Sequence, residues 1–342
     1  MSTTLTVGVV GYGYWGPRLV ASLAGLTNAR VKAVADIDPA RRAAAKARYP
    51  WLDTTSDYGV LVTDDDIDAI VIATPLLDHY PIARAALAGG KHVLVEGPLA
   101  DSLAAGRELD ALATARGRTL MVHHARVYGG AVTKLREWLD AGRLGRLNYF
   151  FASRVELGMS KLEHNVLWEL AARDLAVLDY VFGPVPEWIS VIATSHLSEN
   201  EDLAFVSLGY DDDVRAQLHC NWYAPRRSRQ MTITGSDRMI AWDDANPTEP
   251  LKLFEHGTDA DQLDLNVRHA MRSARRSGDV LTPKLDPADA MSRALEAFVS
   301  ACDGGPAPRT DAKSALRVLA VLDAGQQSLE HDGERIELSI ER

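Results

Sequence analysis

The sequence predicts an α/β chain, with an N-terminal Rossmann domain built on a doubly wound parallel sheet and a C-terminal α+β domain. Three observations support this prediction. Short apolar strands alternate with helical stretches through residues 1–122, a glycine turn joins the first strand to the first helix, and strands of alternating polarity are prominent later in the chain. We therefore place the first domain at residues 1–122 and the second at residues 123–342.

Length and composition limit the class of protein. With 342 residues, 46% of them hydrophobic and 25% charged, the chain is long enough to bury two separate cores. The formal net charge of -10 opposes binding to a nucleic-acid backbone or to an anionic membrane surface. The basic run at Arg226, Arg227 and Arg229 is then interpreted as a solvated loop or an oligomer contact. The expected partner is a small molecule.

Cysteine usage and the N-terminus bear on location. Cys220 and Cys302 show no spacing typical of a disulfide framework or a zinc site, so we expect no bound metal. The first residues lead directly into a strand, and no apolar run is long enough to cross a bilayer. Together these features predict a protein of the reducing cytoplasm.

A glycine turn follows the first predicted strand, Leu5 to Val10, and precedes a helix from Arg18 to Ala24. In this turn, GYGYWGP, Gly11 permits the tight bend and Gly13 lets a pyrophosphate approach the backbone. Gly16 lets the helix pack close to the strand while the helix N-terminus faces the phosphates. Glycines also mark ordinary turns, so this pattern needs support from its surroundings.

The second predicted strand, Val31 to Ala35, supplies that support. It ends in Asp36, about twenty residues after the glycine turn, where a carboxylate accepts the adenosine ribose hydroxyls. Helix capping is the alternative role for Asp36, but Asp38 fills that role. The sequence thus favours NAD over NADP, although Arg41 and Arg42 leave open a contact with a 2′-phosphate.

Two further strands, Ala69 to Ala73 and His92 to Val95, flank a predicted helix from Tyr80 to Ala88. In an open parallel sheet, ligands bind beyond the carboxyl ends of the strands, so these strand ends converge on the crevice of the glycine turn. The predicted cofactor contacts are Gly11, Gly13, Tyr14, Trp15, Gly16, Asp36, Thr74, Pro75, His79, Glu96 and Gly97.

The second domain opens with a helix and continues with strands. Val132, Leu135 and Leu139 share one helical face, and Gly142 ends that helix. Alternation then predicts strands at 147–157 and 214–222, the latter with a polar face that is open to solvent, lines the substrate site or contacts another subunit. Helices are predicted at 259–276, 286–302 and 311–329, followed by a short terminal strand.

Several stretches resemble the glucose-fructose oxidoreductase and inositol dehydrogenase (Gfo/Idh/MocA) family. They are GYGYWGP at 11–17, DAIVIATPLLDHYPIARAALAGGKHVLVEGPLA at 68–100 and AVTKLREWLDAGRLGRL at 131–147. SRVELG at 153–158 and HNVLWELAARDLAVLDYVFG at 164–183 resemble the branch that acts on nucleotide-linked sugars. The resemblance implies NAD or NADP in the first domain and oxidation or reduction of a sugar or cyclitol. It also implies a large, open, mostly antiparallel sheet that binds substrate and joins a homodimer or homotetramer.

The same resemblance locates the family's catalytic residues and shows substitutions at them. The lysine expected between Glu96 and Pro98 is replaced by Gly97. On the active-site helix the expected aspartate is Glu169, and the expected histidine four residues later is Arg173. The aspartate after that histidine is retained as Asp174, and Ala172 stands where the branch commonly has proline.

These substitutions remove the usual proton-transfer groups. Hydride transfer at a carbinol carbon requires a group that exchanges a proton with the oxygen near working pH, which glycine cannot do and arginine, always protonated, does poorly. Glu169 keeps titratable chemistry. The candidate replacements are His124, Tyr128, Lys161, His164 and Tyr223, and the predicted catalytic set is Glu169, Arg173, Asp174, His124 and Tyr128.

Structural alternatives accompany these candidates. His123 or His124 caps a strand end in the simpler interpretation, and Tyr128 anchors the first helix of the second domain. Gly97 in its structural interpretation only permits a backbone conformation that lysine avoids. The missing side chain also leaves space for a bulkier substrate or a different cofactor pose. Three functional hypotheses follow: an NAD-dependent sugar or cyclitol oxidoreductase with relocated acid/base groups, a non-redox enzyme with NAD as an auxiliary, and a binding or regulatory pseudoenzyme.

Overall fold

The computed structural model describes residues 4–156, 164–183, 185–196, 199–255 and 279–338. The chain forms two compact units. Unit 1 comprises residues 1–129 and 288–320, and unit 2 comprises residues 130–287 and 321–342. The sequence places the domain boundary at 122/123 and leaves the C-terminal helices in the second domain, whereas 123–129 and 288–320 belong to the compact unit of the first sheet.

The strands, in chain order, are β1 (Leu5–Val10), β2 (Ala29–Ala35), β3 (Asp53–Thr55), β4 (Ala69–Ile72), β5 (His92–Glu96), β6 (Leu120–His123), β7 (Leu147–Val155), β8 (Trp188–Thr194), β9 (Leu203–Gly209), β10 (Arg215–Asn221), β11 (Ser228–Gly235), β12 (Met239–Asp243), β13 (Leu251–Phe254), β14 (Val280–Leu281) and β15 (Ile336–Glu337). The helices are α1 (Gly16–Ala24), α2 (Pro39–Arg48), α3 (Tyr58–Thr63), α4 (His79–Ala88), α5 (Leu103–Arg116), α6 (Gly130–Asp140), α7 (Ala172–Phe182), α8 (Ala290–Cys302) and α9 (Ala312–Glu330).

Unit 1 contains the predicted doubly wound parallel sheet. Its six strands lie in the order β3-β2-β1-β4-β5-β6, and every neighbouring pair is parallel. The strands β1, β4 and β5 are almost wholly buried because helices cover both faces of such a sheet. The strand order reverses between β1 and β4, which places a ligand crevice beyond their carboxyl ends.

Local signals account for where the helices begin and end. The Asp38 side chain accepts a hydrogen bond from the amide of Ala40 at 2.8 Å, so it caps α2 as predicted. Gly117 ends α5 in the left-handed conformation, with φ of 61°. The helix predicted from residue 286 begins later, at Ala290, because Asp289 caps it by accepting from the Ser292 amide.

Unit 2 carries the large sheet. Its described strands lie in the order β14-β13-β12-β11-β7-β10-β9-β8-β15, and among the described pairs β7 and β10 run parallel while the others are antiparallel. The predicted alternation at 214–222 is confirmed: Ala216, Leu218 and Cys220 are buried, and Arg215 and Gln217 are exposed. The mostly antiparallel sheet is thus confirmed.

Two of the sequence predictions concern residues outside the described ranges. The helix predicted at 259–276 lies outside them, as does Lys161. Within the part of the chain that the structure describes, none of the helices combines the length and the apolar character needed to cross a membrane.

Candidate active site

The glycine turn after β1 fits the backbone of a dinucleotide. Gly11 has φ of 94°, and a side-chain carbon there would lie 2.5 Å from the carbonyl oxygen of Ala73. A side-chain carbon at Gly16 would overlap the carbonyl oxygen of Gly11. At Gly13 an added carbon would meet only the Arg41 guanidinium, at 3.5 Å, so this position leaves the backbone open to a pyrophosphate.

Asp36 stands at the end of β2 as a fixed carboxylate. Its side chain is 3% exposed and accepts hydrogen bonds from the amides of Tyr12 at 2.6 Å and of Asp38 at 2.8 Å. Each carboxylate oxygen has a second lone pair for a ribose hydroxyl. The geometry of this carboxylate fits the adenosine end of a dinucleotide.

Two aromatic side chains border the same turn. The Tyr14 side chain is exposed, and its ring meets that of Trp15 edge to face at 5.0 Å between centroids. The Arg18 guanidinium lies over both rings, 4.3 Å from the Tyr14 centroid and 5.2 Å from the Trp15 centroid. Tyr14 and Trp15, both predicted to contact the cofactor, are therefore already packed together with Arg18 beside the glycine turn.

His79 connects the ends of β4 and β5. Its Nδ1 lies 2.8 Å from the carbonyl oxygen of Pro98, and its Nε2 lies 3.0 Å from that of Thr74. Burial lowers the pKa of His79, while the two carbonyl contacts act in the opposite direction. Because both ring nitrogens face backbone oxygens, His79 positions the loops that carry Thr74, Pro75 and Gly97.

Gly97 lies against the imidazole of His124. A side-chain carbon at Gly97 would lie within 3.1 Å of three ring atoms of His124, among them Nδ1 at 2.7 Å. Carbon atoms do not approach so closely, so a lysine cannot occupy position 97 while the ring keeps this place. The structure thereby brings His124, one of the predicted replacements, to the position that the lysine side chain would enter.

The neighbouring pair, Glu96 and His123, was not predicted as a contact. These residues are partners in the register of β5 and β6, and His123 Nδ1 lies 2.6 Å from Glu96 Oε2. The side chains are 1% and 13% exposed for His123 and Glu96 respectively. The sequence signal for this contact was that Glu96 and His123 each stand at the carboxyl end of a parallel strand. Neighbouring parallel strands place such residues side by side.

Tyr128 is tied into the core of unit 1. Its hydroxyl lies 3.2 Å from Thr310 Oγ1 and accepts a hydrogen bond from the Thr310 amide at 3.3 Å. Burial raises the pKa of Tyr128 above its ordinary value. These contacts give Tyr128 a structural role at Thr310 rather than at the first helix of the second domain, and they use the hydroxyl that catalysis would need.

In unit 2, Glu169 and Arg173 form the less buried stripe of a buried helix. Glu169 lies in the π-helical segment Leu167–Ala171, and Arg173 follows in the first turn of α7. Within residues 165–178 these two side chains alone are half-buried, and all others are buried. A carboxylate and a guanidinium four residues apart can accept from a hydroxyl and stabilise an oxyanion, respectively.

Asp174, in contrast, is committed to a buried ion pair. Its carboxylate accepts from Arg154 Nε at 2.9 Å and also from Arg154 Nη2, and both side chains are 2% exposed. Burial raises the pKa of Asp174, although Arg154 opposes that shift. Arg154 escaped the sequence prediction, yet its position in phase with the buried Phe150 and Ala152 of β7 signalled a buried charge that needs a partner.

More charged groups lie beyond the end of β7. Arg229 Nε donates to Glu156 Oε1 at 2.7 Å, and Arg227 Nε lies 3.6 Å from the same oxygen. Burial alone would raise the pKa of Glu156, but the hydrogen bond from Arg229 and the nearby arginine charges hold it below its ordinary value. Of the remaining candidates, Tyr223 is exposed and its ring stacks on His196.

The described ranges contain no group of three or more histidine, cysteine, aspartate or glutamate side chains arranged to hold a metal ion.

Two family models match the chain. "Oxidoreductase family, NAD-binding Rossmann fold" matches residues 5–124, and "GFO/IDH/MocA C-terminal domain" matches residues 132–241. The chain belongs to the Gfo/Idh/MocA oxidoreductase family. Its first domain is therefore an NAD-binding Rossmann domain.

Relatives within this family include curated proteins and solved structures. The uncharacterized oxidoreductase YdgJ of Escherichia coli is 40% identical over 151 residues, which is 44% of this chain and 43% of YdgJ. Inositol 2-dehydrogenase 2 of Saccharopolyspora erythraea is 27% identical over 243 residues, 63% of this chain and 70% of that protein. UDP-N-acetylglucosamine 3-dehydrogenase of Acidithiobacillus ferrooxidans shares the fold, with a TM-score of 0.81 at 22% identity over 96% of this chain and 98% of that one.

Proposed function

We propose that this Gfo/Idh/MocA protein catalyses NAD-dependent hydride transfer at a hydroxyl-bearing carbon of a sugar or cyclitol, with the His124 imidazole exchanging the proton. The observation that carries the proposal is the packing of the His124 ring against Gly97. The chain lacks a lysine at position 97 and has a titratable ring in the space that the lysine would need.

The chemistry divides between cofactor and protein. NAD, when bound, takes up or returns the hydride. The substrate hydroxyl must lose its proton as it becomes a ketone, and an imidazole, with an unperturbed pKa near 6.5, suits that transfer near neutral pH. His124 holds that proton, and in the reverse direction it returns the proton to the oxygen.

The fit of the dinucleotide supports this division. Gly13 leaves its backbone open, Gly11 and Gly16 provide the tight turn, and Asp36 presents an anchored carboxylate. We assign the adenosine ribose to Asp36 and the pyrophosphate to the backbone at Gly13. Both assignments concern cofactor binding, and neither residue takes part in the proton transfer at the substrate.

Glu169 and Arg173 remain the predicted substrate contacts of unit 2. Glu169 accepts hydrogen bonds from sugar hydroxyls in this proposal, and Arg173 stabilises negative charge on an oxygen. Asp174 supports them as the partner of the buried Arg154. A sugar-like substrate agrees with the inositol dehydrogenase and nucleotide-sugar dehydrogenase among the similar proteins.

Self-association through the sheet of unit 2 stays part of the proposal. The face opposite the helices exposes Ile192 and Phe205, and the Phe205 ring stacks on that of His219 at 4.9 Å. An apolar patch on an open sheet is suited to a second copy of the chain, and sedimentation would show a dimer or tetramer. The cytoplasm remains the predicted location.

The first test is to purify the protein natively, denature it and identify any released dinucleotide by chromatography and mass. Stoichiometric NAD or NADH would support the cofactor site and justify a screen of polyols and keto-sugars for nicotinamide absorbance changes. The screen includes His124→Ala and a matched control, His331→Gln, which changes an exposed histidine. Undiminished turnover in His124→Ala would overturn the proposed proton transfer, and a protein that binds neither NAD nor NADP would overturn the oxidoreductase assignment.

A further inference from the structure

Arg41 lies between two carboxylates at the adenosine end of unit 1. Its Nη1 is 3.6 Å from Asp36 Oδ2, and its Nε is 3.5 Å from Asp38 Oδ2. The same guanidinium is the group nearest to the open side of Gly13. Its side chain is 41% exposed, so it borders the space where the adenosine ribose is expected.

Asp36 cannot readily turn away from this space. Two backbone amides, those of Tyr12 and Asp38, anchor its carboxylate from the buried side. A fixed carboxylate accepts the hydroxyls of a ribose and repels a 2′-phosphate. Arg41 has the opposite tendency, because a guanidinium binds phosphate through paired, charge-assisted hydrogen bonds.

The second arginine of this segment does not compete for phosphate. Arg42 Nη1 donates to the carbonyl oxygens of Asp36 at 2.7 Å and of Ile37 at 3.0 Å. Arg42 thereby holds the backbone that carries Asp36. Arg41 is the arginine of this segment whose guanidinium is held by side-chain carboxylates, and Asp38 contributes one of the two.

We propose that Asp38 is a second determinant of the preference for NAD over NADP, acting through Arg41. By holding the Arg41 guanidinium, Asp38 adds a negative charge near the ribose and keeps the guanidinium from pairing with a 2′-phosphate. Asp38 also caps α2, so one side chain both starts the helix and restrains the arginine in its first turn. The proposal concerns dinucleotide binding and goes beyond the proposed chemistry.

The test is calorimetric titration of the full chain with NAD and with NADP. Asp38→Asn removes the charge but keeps a side-chain oxygen that caps α2. We expect NADP to bind on the order of tenfold more tightly, as one charge-assisted contact to phosphate allows, and NAD affinity to change by less than about twofold. In the double variant Asp38→Asn, Arg41→Gln the gain for NADP should disappear.

Asp57→Asn is the matched control, because Asp57 caps α3 in the same way by accepting from the Gly59 amide. It should leave both affinities unchanged. Asp38→Ser, another good cap, repeats the test should the asparagine variant fail to fold. Unchanged NADP affinity in the folded Asp38 variants, or a gain that persists without Arg41, would overturn the proposal.

A failure of the proposed chemistry would look different. If His124 is not the proton-transfer group, His124→Ala keeps undiminished turnover while the dinucleotide affinities of the Asp38 variants still follow the pattern above. If no variant binds either dinucleotide, both the cofactor assignment and the role of Asp38 are wrong.

Discussion

The carboxyl ends of β1 and β2 and those of β5 and β6 belong to one parallel sheet, yet they differ in kind. At the first pair, which we call the dinucleotide end, Gly11, Gly13, Gly16 and Asp36 match the predicted binding pattern. At the second pair, the Gly97 end, the lysine expected from the family resemblance is absent and the His124 ring lies where a side chain at position 97 would extend. Within one sheet, the positions that fit a dinucleotide thus keep the expected residues, whereas position 97 does not.

The largest expected effect separates these two ends. His124→Ala should lower kcat by about 10²- to 10⁴-fold, because general acid-base catalysis contributes on that scale. NAD affinity should change much less than kcat, since the ring lies away from Gly13 and Asp36 at the other end of the sheet. Steady-state kinetics on the best substrate of the screen, paired with NAD titration, measure both quantities. A loss of NAD binding together with kcat would contradict the separation.

Asp36→Asn probes the opposite end. The substitution removes the negative charge of the carboxylate that accepts hydrogen bonds from two backbone amides and, in the proposal, from the ribose hydroxyls. NAD should therefore bind about 10- to 100-fold more weakly. At saturating NAD, kcat should remain close to that of the unchanged protein. A fall in kcat at saturation would show that the dinucleotide end also shapes the reacting geometry.

Gly97→Ala tests the packing itself. The added carbon would meet the His124 ring at a distance that forces one of them to move, which should cost about 1 to 2 kcal/mol in the free energy of unfolding. The double variant Gly97→Ala, His124→Ala should be more stable than the two single effects predict, because the clash is gone. Denaturant unfolding measures all three variants.

Gly13→Ala is the control at the dinucleotide end. Its added carbon would meet only the flexible end of Arg41, so the free energy of unfolding should change by less than about 0.5 kcal/mol. NAD affinity should nevertheless fall, because the carbon occupies the approach of the pyrophosphate. Equal losses of stability in Gly13→Ala and Gly97→Ala would contradict the claim that a side chain at position 97 clashes with the His124 ring.

The smallest effect concerns His79, which joins the ends of β4 and β5. Its pKa is lowered by burial from an ordinary value of 6.5, so below that pH the unfolded chain binds a proton that the folded chain does not. This contribution to stability is complete above about pH 6.5 and is lost as the pH falls through the lowered folded value. The free energy of unfolding measured between pH 8 and pH 5 should therefore fall less in His79→Gln than in the unchanged protein, while His331→Gln retains the full fall.

Much of the fold followed from local patterns. The strands β1, β2, β4 and β5, the glycine turn and the cap at Asp38 depend on neighbours in the chain, and they were predicted at or within a few residues of their observed places. The strands β3 and β6 were not predicted. The alternation of β10 likewise identified its buried face. Such features follow from periodicity and from the backbone needs of single residues.

The candidate site was predicted less completely. The list of replacements included both His124 and Tyr128, and the sequence did not distinguish them. The Tyr128 hydroxyl contacts Thr310, a residue 182 positions away, and the Asp174 carboxylate on α7 accepts from Arg154 on β7. Contacts between residues far apart in sequence leave no local periodicity by which they could be recognised.

The sequence by itself determined that this chain forms a parallel dinucleotide-binding sheet and a second sheet, and that position 97 lacks an amine. Only the tertiary structure decided which side chain lies against that position. Gly97 and His124 meet because β5 and β6 pair in a register that aligns Glu96 with His123, and the missing side chain at Gly97 leaves room for the next ring. Spacing along the chain does not specify this contact, because it depends on how two separate strands pack side by side.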